Sequence, residues 1–332
     1  MEFMKVGKVS PDVMKKTIFD KLNSNDSKIL VSSGIGEDSS ILKLGDCLCA
    51  ISTDPITGAT NDIGRLSVHI SCNDVAACGI RPFGLLVTIL LPEFSTENDL
   101  EIIMNDIYET CDEIGVFVLG GHTEVTNSVN SAIISTTAIG ISKYSEKKVI
   151  KTSGALPGDS IVVSKTLGLE GAAILAKDKS DLLIPAIGKQ YVDEAKDFLS
   201  QISVIDEGLI GAKCGATSMH DVTEGGIFGA VWEISEASKT GFEIYEDNIP
   251  VSVPTKKICN FFNISPFKLI SSGSMLITTP NPEKLIKALN DKNIQATKVG
   301  KIVADQNRRV VIRKDETIQI KQPESDELYK VV

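Results

Sequence analysis

Only three histidines occur in 332 residues, and the seven cysteines follow no ligand spacing, which leaves no basis for a zinc site. No run of Lys or Arg interrupts a formal net charge of -10, so a nucleic-acid backbone would meet no basic field. The longest apolar stretch, GLLVTILLP around Leu85 to Leu91, is far too short to cross a bilayer. The amino end, MEFMKVGKVSP, lacks the apolar core of a secretory signal. These absences place the protein in the cytoplasm, with neither nucleic acid nor membrane as a partner. An odd cysteine count without framework spacing fits reduced thiols rather than disulfides. Cys47 and Cys49 would share one face of a strand, where two thiols could meet a metal, but buried free cysteine is the simpler reading. Two nucleotide signatures are missing as well. There is no G-x-x-x-x-G-K-[ST], and the G-x-G of Gly34 and Gly36 has Ser39 where a dinucleotide fingerprint needs a third glycine.

What is present describes a soluble globular chain, 42% apolar and 23% charged, long enough for two domains. The four-residue spacing of Met14, Ile18 and Leu22 predicts an amphipathic helix over PDVMKKTIFDKLN. SKILVSS and CLCAIST read as strands flanking GIGEDSS. A helix is expected over IGRLSVHISCNDVAACG, a strand over PFGLLVTILL, and a helix over TENDLEIIMNDIYETCDEIG with Thr96 as its cap. VFVLGG and SAIISTTAIGIS complete a first domain, residues 1–150. The polar, then Gly- and Pro-rich KYSEKKVIKTSGALPGDS marks the boundary. In the second domain, residues 151–332, SIVVSKTLGLEGAAILA reads as a strand entering a helix through glycines. HDVTEGG reads as a loop entering a helix whose buried stripe is Ile227, Val231 and Ile234, and SSGSMLITT and QATKVGKIV read as further strands. The alternation predicts α/β plus α+β architecture.

Aspartates recur where an element meets a loop: Asp38 in GIGEDSS, Asp54 in ISTDPITG, Asp74 in SCNDVAACG and Asp221 in MHDVTEGG. One such Asp is an ordinary cap or turn residue. Four brought together would repel one another unless a cation compensated them, and oxygen ligands with phosphate nearby favour Mg²⁺. Acids in a glycine loop then make sense, because backbone amides approach the phosphates while the acids hold the metal that bridges to them. LGGHTEV adds Gly120, Gly121 and His122 after an apolar strand; the glycines allow close backbone approach, and His122 could donate to a phosphate oxygen or move a proton. His69, within a helix pattern, reads as packing, and His220 is left open.

Taken in order, GIGEDSS, STD, CNDVAACG, GGHTEV, PGD, GLEG, HDVTEGG and SSGSMLI resemble the aminoimidazole ribonucleotide synthetase superfamily, from about Ser32 to Ile302. The resemblance implies a two-domain fold whose amino-terminal domain dimerises through its sheet, with ATP and Mg²⁺ held between the domains. It implies metal or phosphate binding by Asp38, Asp54, Asp74 and Asp221, and nucleotide contact by Gly34, Ile35, Gly36, Asn73, Gly120, Gly121 and His122. His122, Asp54 and Asp74 are the implied catalytic residues. Motif by motif the sequence is most similar to the hydrogenase-maturation group, which makes a nitrile from a terminal thiocarbamate. DELYKVV supplies no terminal cysteine, so a different acceptor oxygen is expected.

The expected function is ATP- and Mg²⁺-dependent activation of an oxygen on a small or protein-borne acceptor, in a homodimer, with a maturation protein as a candidate partner. The alternatives are a nucleotide-binding assembly or regulatory subunit without catalysis, or an enzyme resembling thiamine monophosphate kinase or selenophosphate synthetase.

Overall fold

A computed structural model describes residues 6–22, 25–57, 62–144, 149–314, 316–322 and 325–332. After α1 (Pro11–Thr17), the first half runs β1 (Ile29–Val31), β2 (Ser40–Leu44), β3 (Cys47–Ile56), α2 (Ile63–Ala77), β4 (Pro82–Pro92), α3 (Glu97–Ile114), β5 (Phe117–Thr126) and β6 (Ile133–Lys143). Its six strands lie in the order β1-β2-β3-β6-β4-β5. All pairs are antiparallel except β4 with β5, which α3 connects. Thr96 caps α3 as expected and forms a reciprocal capping box with Asp99.

The second half runs β7 (Ser160–Ser164), α4 (Leu169–Asp178), α5 (Ser180–Ile187), α6 (Lys189–Lys196), α7 (Ile205–Cys214), β8 (Ser218–Asp221), α8 (Gly226–Ser238), β9 (Gly241–Tyr245), α9 (Val253–Phe262), β10 (Met275–Thr279), α10 (Pro282–Asn290), β11 (Ala296–Val303), β12 (Arg309–Arg313) and β13 (Glu316–Gln319). These strands form a seven-stranded sheet in the order β13-β12-β9-β11-β7-β10-β8. His220 and Asp221 thus end a strand, Ser218–Asp221, where the sequence suggested a loop beginning at His220. Its four residues are all buried, so no polar alternation announces it.

The two halves meet over α2. Every residue of this helix except Arg65 is buried, so it has no solvent face. Gly208 of α7 crosses it so closely that an added Cβ would lie 2.1 Å from the Ala76 carbonyl oxygen. One apolar cluster runs from Val31, Ile41 and Leu66 through Leu169, Ala173 and Leu175 to Leu328. Polar contacts reinforce this seam. Asn73 donates from Nδ2 to Ile202 O (2.9 Å) and accepts from Val204 N at Oδ1 (2.9 Å). Glu37 accepts from the amides of Thr152 and Ser153, each at 3.1 Å. Among the described residues, no helix is long and apolar enough to cross a membrane. All seven cysteines are free, and five are buried.

Candidate functional site

A cavity of about 1090 Å³ opens between the halves, lined by Gly34 to Asp38, Asp54, Asp74, Glu170, His220, Asp221, Glu224 and Glu233. Each group arrives on a different element. Asp38 follows the glycine turn, Asp54 projects from β3, Asp74 from the last turn of α2, Asp221 ends β8, and Glu233 stands on α8. Gly36 makes the turn possible: its φ is +73°, and an added Cβ would lie 2.9 Å from Glu233 Cβ. The loop can therefore lie against α8 only as glycine.

His220 organises one side of the cluster. Its Nδ1 lies 2.5 Å from Asp38 Oδ1 and its Nε2 lies 2.7 Å from Glu233 Oε2. Lys8 Nζ donates to Glu233 Oε1 at 3.0 Å and closes the chain of charges. Burial disfavours the imidazolium, yet Asp38 and Glu233 on its two nitrogens outweigh burial and hold the His220 pKa well above the usual value. Burial pulls the other way on Glu233, but Lys8 and His220 bring its pKa down to about 2.

The carboxyls of the remaining acids stand in the opposite condition. Burial, Asp221 and Asp54 together push Asp74 well above the carboxylate range, and Ser52 Oγ donates to Asp74 Oδ2 at 2.5 Å. Burial and the neighbouring Asp38 charge push Asp221 up to about 8. Both Asp221 oxygens and Asp38 Oδ2 are buried without a hydrogen-bond donor. Asp38, His220 and Asp221 offer ligand atoms that lie within 4.8 Å of one another. Unpaired buried carboxylate oxygens converging in this way fit a hard divalent cation, which takes oxygen ligands and relieves mutual repulsion. His220, with both nitrogens committed to carboxylates, contributes charge balance rather than a free ligand atom.

The structure gathers Gly34, Ile35, Gly36, Asp38, Asp54, Asp74 and Asp221 in this cleft, as the sequence suggested. It does not bring Asn73 there. Both polar atoms of Asn73 are used in holding the Ile202–Val204 backbone, so it acts in the seam between halves. Gly120, Gly121 and His122 also lie outside it. Asp54 pairs with Thr136 of β6, Thr136 with Val87 of β4, and Val87 with Gly121 of β5, so these residues stand three strands away on the sheet edge. There the close approach that glycine permits is to a strand: a Cβ on Gly121 would lie 1.7 Å from Val87 O. His122 is exposed and, among the described residues, pairs with Glu124 at 3.1 Å. Sequence reasoning missed Lys8, Glu224 and Glu233, and left His220 open. The first is one lysine among many, whereas Glu224 and Glu233 sit within or just after HDVTEGG, with a helical spacing that could have aligned Glu233 with the loop.

Comparison with known proteins gives two family matches: the AIR synthase related protein N-terminal domain over residues 36–142, and the C-terminal domain over residues 157–313. A Methanocaldococcus jannaschii protein named for hydrogenase expression and formation is 30% identical over 296 residues, which is 86% of this chain and 84% of that protein. The carbamoyl dehydratase HypE of Rhizobium leguminosarum bv. viciae is 25% identical, covering 82% of this chain and 78% of its own. Among solved structures, a HypE–HypF complex superposes with a TM-score of 0.76 at 22% identity, covering 94% of this chain and 99% of that one. A HypE structure in complex with ATP superposes with a TM-score of 0.69 at 20% identity over 98% of each chain.

Proposed function

We propose, from the premise that this chain belongs to the AIR synthase related family, that it is an ATP- and Mg²⁺-dependent enzyme that activates an oxygen of an acceptor. The observation that carries this reading is the set of donor-less carboxylate oxygens on Asp38 and Asp221 beside the Gly34–Gly36 turn. Asp38, Asp74 and Asp221 would hold the cation, with Asp54 completing the set. When bound, the cation neutralises carboxylates and phosphates together. The backbone of the glycine turn presents amides to the nucleotide, and the Lys8 ammonium, the one Lys or Arg side chain among the described residues lining the cleft, adds a positive charge at its mouth. The match to hydrogenase-maturation relatives favours an acceptor of that class, carried by a small molecule or by a partner protein. We take residues 1–150 and 151–332 as the two working domains.

We further assign Gly120 to His122 to contact across a subunit boundary, because they lie on an exposed edge strand far from their own cleft. Mg²⁺ with ATP should raise the melting temperature while either alone does much less; saturating ligand at a hundred times its Kd adds about 2.7 kcal/mol. Asp74→Asn should abolish most of that shift. Acceptor-dependent release of ADP then separates an enzyme from a nucleotide-binding assembly subunit, and an equal shift in EDTA would refute the cation bridge.

A further inference from the structure

The side of the cavity built by the second half of the chain holds two polar atoms that the carboxylate cluster does not use. Glu170, in the first turn of α4, is 4% exposed, and its Oε2 meets no hydrogen-bond donor. Ser272 is fully buried beside it, and its hydroxyl has no partner within reach other than Glu170. Both line the cavity that also contains the cluster. Burial holds the Glu170 pKa up at about 7, even though the neighbouring Ser272 opposes the shift.

The surroundings define what would satisfy these atoms. Ile174, Ile270, Leu328 and the Tyr329 ring supply apolar surface around them. Glu224 and Asp326 add negative character nearby, and Lys8, which also lines the cavity, has its ammonium on Glu233. A buried carboxylate oxygen without a donor is costly, and a ligand that brings an N–H removes that cost. We propose that this is the acceptor subsite and that Glu170 binds the acceptor through an N–H donor, an amine or amide carried on a small apolar or aromatic body. The word acceptor rests on the nucleotide-dependent reading above; the subsite itself stands on the geometry of Glu170 and Ser272.

The turn that closes this end fits the same purpose. Asp326 Oδ2 accepts from Gly225 N at 2.6 Å, Tyr329 OH donates to Glu224 Oε1 at 3.1 Å, and Ser325 Oγ donates to Val6 O at 3.2 Å. With Leu328 buried in the apolar cluster, these bonds between segments distant in sequence fix this turn as a wall of the subsite.

Benzylamine, benzamide and methyl benzoate share one aromatic body, and the ester alone lacks an N–H. Calorimetric titration of the full-length protein should show the amine and amide binding at least ten-fold more tightly than the ester. Glu170→Gln should weaken benzylamine by about ten-fold or more and leave the Mg²⁺·ATP shift within its wild-type range. Equal binding of ester and amide, or unchanged amine affinity in Glu170→Gln, overturns the subsite. If that variant does not fold, the amide-to-ester ratio of the wild-type protein decides alone. Glu170-dependent amine binding without any Mg²⁺·ATP binding would sink the nucleotide reading and keep the subsite; nucleotide binding without amine selectivity does the reverse.

Discussion

His69 shows how a single residue's surroundings set the response of the whole chain to acid. It is 2% exposed, neither ring nitrogen has a partner, and burial together with Arg65 lowers its pKa to about 3, with Glu113 opposing and Lys165 assisting. The unfolded chain takes up this proton below about pH 6.5, whereas the folded one holds out to about 3. Stability associated with His69 is therefore complete above pH 6.5 and is lost as pH falls toward 3. His69→Leu, which also removes two unpaired buried nitrogens, should raise Tm at pH 7 and flatten the acid limb. At pH 4.5 the wild type should have lost about 2–3 kcal/mol more than the variant. Denaturant titrations at pH 7 and 4.5 would show it, and parallel slopes for both proteins would refute it. The sequence placed His69 in a helix and read it as packing, and its depth follows from α2 being buried on every side. It could not rank His220, whose role depends on three residues from three distant segments, Asp38, Glu233 and, through Glu233, Lys8.

Among the elements, α2 and α7 carry the tightest crossing. Gly208 meets Ala76 backbone atoms, which cannot rotate away as a flexible side chain would. Gly208→Ala should cost about 2–3 kcal/mol by overpacking, a fall in Tm of roughly 3–4 °C for a chain of this length. A melting scan tests this, and a change under 1 °C would mean the helices slide apart freely. Local pattern made α2, α3 and β6 legible, since each is long and has its own periodicity or cap. Strand β5 was legible only to Gly121; it continues to Thr126, because pairing with β4 overrides the turn preference of two adjacent glycines. The Glu37-Asp38 pair illustrates the same limit. Adjacent acids in one loop looked equivalent, but Glu37 binds the Thr152 and Ser153 amides while Asp38 faces the cleft. Spacing reveals that a loop is functional, whereas tertiary contact divides the tasks within it.

At the scale of the whole molecule, the first sheet leaves apolar side chains in water. Phe117 is 61% exposed, Val125 60% and Ile141 51%, joined by Phe83, Leu86 and Leu119. An exposed apolar set of this kind marks an interface, and the β5 edge beside it is unpaired on one side. A homodimer through this sheet would cover it. Light scattering at low micromolar concentration should give about twice 35.7 kDa, and Phe117→Lys with Leu119→Lys should reduce it to the single-chain mass. A wild-type monomer would remove both the interface and the trans assignment of His122. The apolar cluster shared by the two halves carries a further consequence, for the calorimetry of binding. If Leu169 and Leu175 already share one core with Ile41 and Leu66, a nucleotide entering the cleft brings no new interdomain surface out of water. The binding enthalpy should then change little with temperature, because a large negative heat-capacity change requires fresh apolar burial. A steep slope between 10 and 35 °C, on the order of that seen for coupled folding, would mean that the halves separate and close around each ligand.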